Sequence, residues 1–364
     1  MNTGKGKSEA GIVLVVVLIA IAILTTLVVD LIYFTQVDNE ISANTRDEII
    51  ARYIAKSGVQ VVAGTINNRP LEEIKEITGL FGDQTGYSEG YWAVNVPSFP
   101  VGNGTVSITV IDERSKINLN ALVSQTTNQV DQQVLMELNE LFRLLGVDSR
   151  KSDRFIASLI NWLDRPIEGS PTPNDQDRSG ADAGFYESLE NPYVIKNGPL
   201  DSLEEVRLID GMDDEFFNMI KDYVTVYPKD KRVNFSTAPK VVMMAAIKGA
   251  GVSAVRRQGS GSSNEVSDDI AERIAEAVIE ERVDDPIIKQ RSVREIASGI
   301  DPESRISAGL TGVVLNSGES DVFSVTSIGM LGEINPTISV IKAVIRKSQD
   351  EASSGTRIIS WKER

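Results

Sequence analysis

From Ile12 to Val29 the chain presents an apolar run without a charge, preceded by Gly11 and a short polar leader that holds Lys5, Lys7 and Glu9. At roughly 1.5 Å per residue such a helix crosses a hydrocarbon core of about 30 Å, and Leu31 to Phe34 extend it into the interface. The two lysines ahead of the run predict a cytoplasmic N-terminus, with the bulk of the chain on the far side of the membrane. A cleaved secretory signal would show a small-residue site after the run, where Thr26, Leu27, Val28, Val29 and Asp30 stand instead. The helix is therefore expected to stay on the protein.

A chain of 364 residues is long for one core, so two subdomains are expected outside the membrane. Its formal charge of −15 repels nucleic acid and anionic lipid. There is no cysteine to form a disulfide framework or a thiol nucleophile, and no histidine, the commonest general base and transition-metal ligand. With no nucleophile–base constellation among the remaining residues, the chain does not read as an enzyme.

Beyond the apolar run, Gln36 to Ile66 is rich in helix formers and free of proline. Ile50, Tyr53, Ile54 and Val61 fall on one helical stripe, which predicts a single helix whose second half is amphipathic and packs on a domain. Gly58 and Gly64 are expected to loosen its end, and Asn67-Asn68-Arg69-Pro70 to stop it. A short helix is expected at Leu71–Thr78. The period then changes to two: Tyr91–Val96 and Thr105–Ile111 read as a hairpin with its turn between Pro97 and Gly104. β-branched and aromatic residues return at Val322–Ile328, Thr337–Ile345 and Arg357–Trp361. Two strands alone are too few to be stable. The simplest topology is thus one antiparallel sheet on the long helix, with an α-rich domain inserted into it.

That interval carries an apparent duplication. Lys116-Ile117-Asn118-Leu119-Asn120-Ala121 returns loosely as Arg232-Val233-Asn234-Phe235-Ser236-Thr237-Ala238-Pro239. In each copy helical sequence follows, then a proline-led helix at Pro199–Val206 or Pro286–Ile296, the former capped by Asp201 or Ser202. Ser253 to Ser263 reads as a flexible loop.

Two stretches suggest recognition. Glu204 to Met212 is similar to helix-hairpin-helix modules that hold phosphates, but Asp210, Asp213, Asp214 and Glu215 around the hairpin repel a phosphate, so nucleic-acid binding is disfavoured. Asn174-Asp175-Gln176-Asp177-Arg178-Ser179-Gly180, followed by Asp182 and Glu187, sets hard oxygen ligands at alternating positions before a glycine, as calcium requires. The twelfth loop position from Asp175 is Tyr186, so the bidentate glutamate of a full EF-hand is missing. A solvated acidic loop is the other reading.

The leader junction Ser8-Glu9-Ala10-Gly11, followed by Ile12, resembles the cleavage site of type IV prepilin-like proteins, in which a prepilin peptidase cuts after the glycine and methylates the new N-terminus. Most prepilins carry a glutamate at the fifth mature position, which here is Val16. The K-type minor pseudopilins of the type II secretion system (general secretion pathway protein K) lack that acid. The chain is similar to that family also at Asp112–Asn120, Leu159–Asp164, Gly180–Tyr186, Pro192–Leu200, Leu203–Gly211 and Val233–Pro239. Departures stand at Asn161 (more often Asp), Ser115 (more often Gly) and Ser236 (more often Asn).

The resemblance implies an α+β fold: a long N-terminal transmembrane/pilin helix packed on an antiparallel sheet, with a large α-helical domain inserted into the pilin-like domain. The expected division is a prepilin leader at 1–11, the transmembrane part of the long helix at 12–34, and the first part of the pilin-like domain at 35–118. An inserted α-helical domain of two related helical units follows at 119–306, then C-terminal strands at 307–364. It also implies cleavage between Gly11 and Ile12, N-methylation of Ile12, and anchoring in the bacterial inner membrane with the bulk of the chain periplasmic. The expected role is at the tip of the type II secretion pseudopilus, with the I- and J-type minor pseudopilins as partners. Structural calcium is expected on Asp175, Asp177, Ser179 and Asp182. A minor pilin of a type IV pilus-like system is the nearer alternative, and a membrane-anchored helix-hairpin-helix nucleic-acid-binding protein the more distant one.

Overall fold

The computed structural model describes residues 6–68, 93–165, 180–227, 230–256, 266–285, 287–302, 306–317, 320–348 and 355–363. The apolar run and the helix formers after it make one continuous helix, α1 (Gly6–Asn68), about 95 Å long at its usual rise. It begins inside the leader and ends where the two asparagines precede Arg69-Pro70. None of its apolar run is buried against other described residues. Within it the hydroxyls of Thr25 and Thr26 donate to the carbonyls four residues earlier, which keeps both polar side chains satisfied without water.

The second half of α1 lies on a five-stranded antiparallel sheet of order β1 (Ala93–Val101), β2 (Gly104–Asp112), β5 (Val322–Leu331), β6 (Thr337–Lys347) and β7 (Thr356–Glu363). Alternation in β2 and β5 turns Val106, Ile108, Val110, Phe323 and Val325 toward the helix, where Ile341, Ala343 and Ile345 of β6 join them. The buried face of α1 differs from the expected one. Ala51, Ile54, Ala55, Val59 and Ile66 are buried, whereas Tyr53 and Val61 are 66% and 63% exposed and Ile50 lies at the surface. Small residues win because the backbones meet closely: a Cβ on Gly58 would overlap Ser327, and one on Gly329 would overlap the Ala51 carbonyl. Gly58 is therefore a contact residue, not a weak point of the helix.

The β1–β2 turn is also tighter than expected. β1 continues through Pro97 and Pro100 to Val101, with a register irregularity between Val96 and Phe99. As an edge strand it tolerates proline, which removes only an outward-facing donor. The turn itself is Gly102-Asn103, with Gly102 at φ +60. The helix expected at Leu71–Thr78 lies outside the described residues.

Between β2 and β5 come β3 (Ile117–Asn118), α2 (Gln132–Leu144), α3 (Ser149–Leu163), α4 (Ala183–Glu187), α5 (Asp214–Ile220), β4 (Val224–Thr225), α6 (Lys240–Arg256), α7 (Asp268–Asp284), α8 (Gln290–Ile300) and α9 (Ile306–Gly309). They share a core of their own running from Ile117 to Val314, so α9 and the turn after it pack with the helices and not with the C-terminal strands. Ser253 to Arg256, expected in a loop, complete α6. The segment at Leu203–Leu208 is a 3-10 helix, and Ser202 stands at its start without a side-chain cap bond.

The orientation of this helical region follows from the register. Gly329 of β5 lies against Ala51, Ser327 against Gly58, and Thr356 at the start of β7 bonds the Ala63 carbonyl. Going from Leu331 to Val322 along β5 therefore climbs α1 away from the membrane run. The inserted helices leave the sheet after Asp112 and return before Val322, a pair of positions at its membrane-distal end.

Candidate functional site

Three places carry the residues singled out above. The first is the start of α1. Gly11, Ile12 and Val16 lie on one uninterrupted helix, all exposed, and apart from the helix itself no atom of the described residues comes within 4 Å of where a Cβ on Gly11 would stand. Among the described residues the junction is exposed.

The second is the ground beside the acidic loop. Asp175, Asp177 and Ser179 lie outside the described residues, and Asp182 lies within them. Asp182 caps α4, its Oδ1 accepting from the Phe185 N–H at 3.0 Å. Both approaches to the loop are pinned, the first to Asn128 in the turn before α2 and the second to α3. Before it, Asp164 accepts from Asn128 Nδ2, and the Arg165 N–H donates to Asn128 Oδ1 at 3.0 Å. After it, the Ala181 N–H donates to Ser158 Oγ and the Ala181 carbonyl accepts from Asn161 Nδ2, both at 3.0 Å. Asn161 Oδ1 is buried with no hydrogen-bond partner. A neutral hard oxygen left over beside an acidic loop fits an oxygen-seeking cation such as calcium. Among the described residues no group of three or more acids converges on one point.

Under this ground lies an aromatic stack. Tyr186 is fully buried, its ring centroid 5.5 Å from Trp162 and 5.3 Å from Tyr193. Its hydroxyl accepts from the Asp210 N–H at 3.2 Å, and burial pushes its pKa up to about 12. The hairpin around Asp210 is consumed by this packing. Gly211, at φ +87, comes so close to Phe155 that a Cβ would stand 2.8 Å from that residue's backbone nitrogen. Arg154 grips both oxygens of Asp210 at 2.6 and 2.8 Å, and Lys151 bonds Asp213. Two of the acids that argued against a phosphate, Asp210 and Asp213, are ion-paired to α3, and Asp214 pairs with Arg207.

The third place was quoted from the sequence without a role. Asp112, fully buried at the end of β2, accepts from the Arg114 N–H (2.7 Å), Asn234 Nδ2 (2.9 Å), Thr237 Oγ1 (2.6 Å) and Ser320. Burial outweighs these donors and raises its pKa. Arg114 binds Asp321 through Nε at 2.5 Å and Asp230 through Nη1 at 2.8 Å. Glu113 takes Ser324 Oγ at 2.6 Å and Thr225 Oγ1. One tripeptide thus ties β2, β5 and the helical region together.

A model of the type II secretion system protein K family matches residues 115–229. Type II secretion system protein K of Pectobacterium carotovorum subsp. carotovorum is 24% identical over 237 residues, covering 63% of this chain and 66% of that protein. The protein of the same name from Pseudomonas aeruginosa is 25% identical over 241 residues, covering 66% and 68%. The chain therefore spans about two thirds of the length of these relatives. Over that stretch it is similar to the type II secretion system protein K family. A chain in the crystal structure of the GspK-GspI-GspJ complex from enterotoxigenic Escherichia coli shares the fold, at a TM-score of 0.52 and 17% identity, with 91% of this chain and 99% of that one covered.

The residues at which the sequence departs from that family have local consequences. Ser115 Oγ donates to the Asp112 carbonyl at 2.6 Å. Ser236 bonds the backbone nitrogen of Ile288 at 2.9 Å and its carbonyl at 3.5 Å. Asn120, the corresponding residue of the first motif, takes the nitrogen of Leu200 at 2.7 Å and its carbonyl at 3.0 Å. Each motif also opens a parallel pairing, Ile117 with Val224 and Val233 with Val314. The buried acids Asp112 and Glu113 escaped sequence reasoning because charge predicts exposure. The signal that would have found them is their position at the end of a strand, next to a turn rich in hydrogen-bonding side chains.

Proposed function

We propose that this chain is a minor pseudopilin at the tip of the type II secretion pseudopilus, where it initiates or caps assembly for the export of folded proteins across the outer membrane. One observation carries the reading: the helical region rises from the membrane-distal end of a sheet packed on a membrane-length helix. A subunit stacked above this one in a helical filament would meet that bulk. Val16 supports the same position. A lone carboxylate at the membrane centre costs roughly 2.5–3.5 kcal/mol and is best tolerated beside a neighbour's N-terminal ammonium. A subunit with nothing above it gains no such partner, and a valine there costs nothing.

On this reading the precursor sits in the bacterial inner membrane with its N-terminus cytoplasmic and its bulk periplasmic. A prepilin peptidase cuts after Gly11 and methylates Ile12, and the open junction supports access by such an enzyme. The partners are I- and J-type minor pseudopilins, a reading supported by the GspK-GspI-GspJ complex in which the structural neighbour was solved. Asp175, Asp177, Ser179 and Asp182 would hold a structural calcium ion, which would supply charge neutralisation to the acidic loop. The orphan oxygen of Asn161 is what supports a cation there. Addition of a chelator is then expected to lower the melting temperature, and calcium but not magnesium to restore it.

The decisive test is N-terminal mass spectrometry of the protein from its native membrane. A mature start at methylated Ile12 is expected; an intact Met1 would overturn the assignment. For the tip position, Val16→Glu and deletion of the helical region are compared in secretion and in co-purification with the I and J subunits. If neither changes either readout, the cap has no basis.

A further inference from the structure

The chain carries 52 acidic against 37 basic residues, yet β6 and β7 together hold five cations, Lys342, Arg346, Lys347, Arg357 and Lys362, and one acid, Glu363. Register makes this stranger. Lys342 pairs directly with Lys362, and Arg346 directly with Arg357. All four belong to the face of the sheet opposite α1, since the alternate residues Ile341, Ala343 and Ile345 are the ones buried under the helix. Like charges directly opposite each other destabilise an antiparallel pair, so each pair calls for an anion.

The first pair has one within the chain. Glu204, on the 3-10 segment at Leu203–Leu208, bonds Lys362 at 2.9 Å. Its carboxyl stays below its ordinary pKa although burial opposes this, because Lys362 bonds it and Lys342 adds to the attraction. The second pair lacks such an acid. Arg346 gives Nη2 to the Tyr227 carbonyl at 3.1 Å, while its Nε is buried with no partner. Arg357 is exposed and enters none of the ion pairs of the described residues.

We propose that the β6–β7 face docks an acidic segment of a partner polypeptide, whose carboxylates lie against Arg346 and Arg357 as Glu204 lies against Lys362. A lipid headgroup is out of reach while the chain is anchored. Thr356, next to Arg357, bonds the carbonyl of Ala63, which is about 50 Å along α1 from the end of the apolar run. A second copy of the chain would approach against a like charge of −15. The proposal goes beyond the assembly role and does not depend on cleavage at Gly11.

The test uses the full chain in a neutral detergent and a fluorescein-labelled peptide of glutamates, with binding read by anisotropy at low and physiological salt. Arg357→Glu should weaken binding at least tenfold, and Arg357→Lys should keep it within about threefold. Arg150→Glu, which reverses an exposed arginine on α3, should leave it unchanged. Unchanged melting of each variant separates lost binding from lost fold. Equal binding by wild type and Arg357→Glu, or an equal loss with Arg150→Glu, overturns the proposal. So does tighter binding to phosphatidylglycerol vesicles than to the peptide, or self-association that Arg357→Glu abolishes. Normal N-terminal processing of Arg357→Glu would show that a failure here leaves the secretion reading standing.

Discussion

The two cores of this molecule are built on opposite principles. Between α1 and the sheet, contact depends on what is missing: Ala51, Ala55 and Gly58 on the helix face Gly329 and Ser327 on the strands, and the backbones almost touch. Between the inserted helices, contact depends on bulk. Phe216 meets Phe142 and Phe155 edge to face at 5.1 and 5.4 Å, Phe142 and Phe155 lie tilted at 6.0 Å, and Trp162 stands edge to face on Tyr186 in the same core. A close-packed seam of small residues holds a long lever in one register, because a shift by one residue brings a side chain into a backbone. A core of large rings gains more burial, and it accommodates sequence change more readily as long as volume is kept.

Enlarging the seam should have the largest effect. A Cβ on Gly329 would overlap the Ala51 carbonyl and lie 2.7 Å from the Ala55 nitrogen, so Gly329→Val must push α1 from the sheet. A loss on the order of 4 kcal/mol or more is expected, together with proteolysis between α1 and β1. Emptying the ring cluster comes next. Phe155→Ala should cost about 3–5 kcal/mol, and hydrogen exchange should rise in α2, α3 and α5 while the sheet amides stay protected. Equal deprotection of both regions would show that the two cores melt as one.

A third variant tests the polar exception in the helical core. Glu137 of α2 is fully buried against Gly249 of α6, bonded through Oε1 to Gln133 at 2.8 Å, with Oε2 unpartnered. Burial raises its pKa from 4.5 to about 8; Lys231 opposes the rise and Asp131 adds to it. The folded state therefore keeps a proton that the unfolded chain releases, so stability falls as pH climbs from about 4.5 to 8 and levels off above. Glu137→Gln should flatten that slope and stabilise the chain at pH 8 by ~1 kcal/mol or more, as read from melting curves at several pH values. The smallest effect is expected at the surface. Arg291 and Glu295 pair at 2.7 Å with side chains 87% and 63% exposed, and Arg291→Ala should change stability by about 0.5 kcal/mol or less.

This contrast also explains what could be read from the residues alone. The long helix, the hairpin, the returning strands and the helical interval all follow from periodicity and length, which report side-chain hydropathy well. Hydropathy misplaced the packing face of α1, since it ranks Tyr53 and Val61 above Gly58, although only the small residue permits the close approach. The β1–β2 turn was misjudged because prolines suggest a break, while an edge strand with a register irregularity absorbs them. At the candidate sites, the expectation for Gly11, Ile12 and Val16 rests on linear order alone. The Asp112–Arg114 hub was not: its partners Asp230, Asn234, Thr237 and Asp321 stand more than a hundred residues away in the chain.

Asp112 and Phe323 are direct neighbours across the sheet, with the whole helical region threaded between them. During synthesis the β1–β2 hairpin must wait some two hundred residues for the strand that covers its inner edge, and a two-stranded ribbon is marginal in water. Contacts of such long sequence separation form late. The inserted helices, whose core closes on itself, are complete before β5 emerges. For a chain emerging from its N-terminal helix outward, the part that ends up farthest from the apolar run would be the first to fold, and α1 would gain its sheet last.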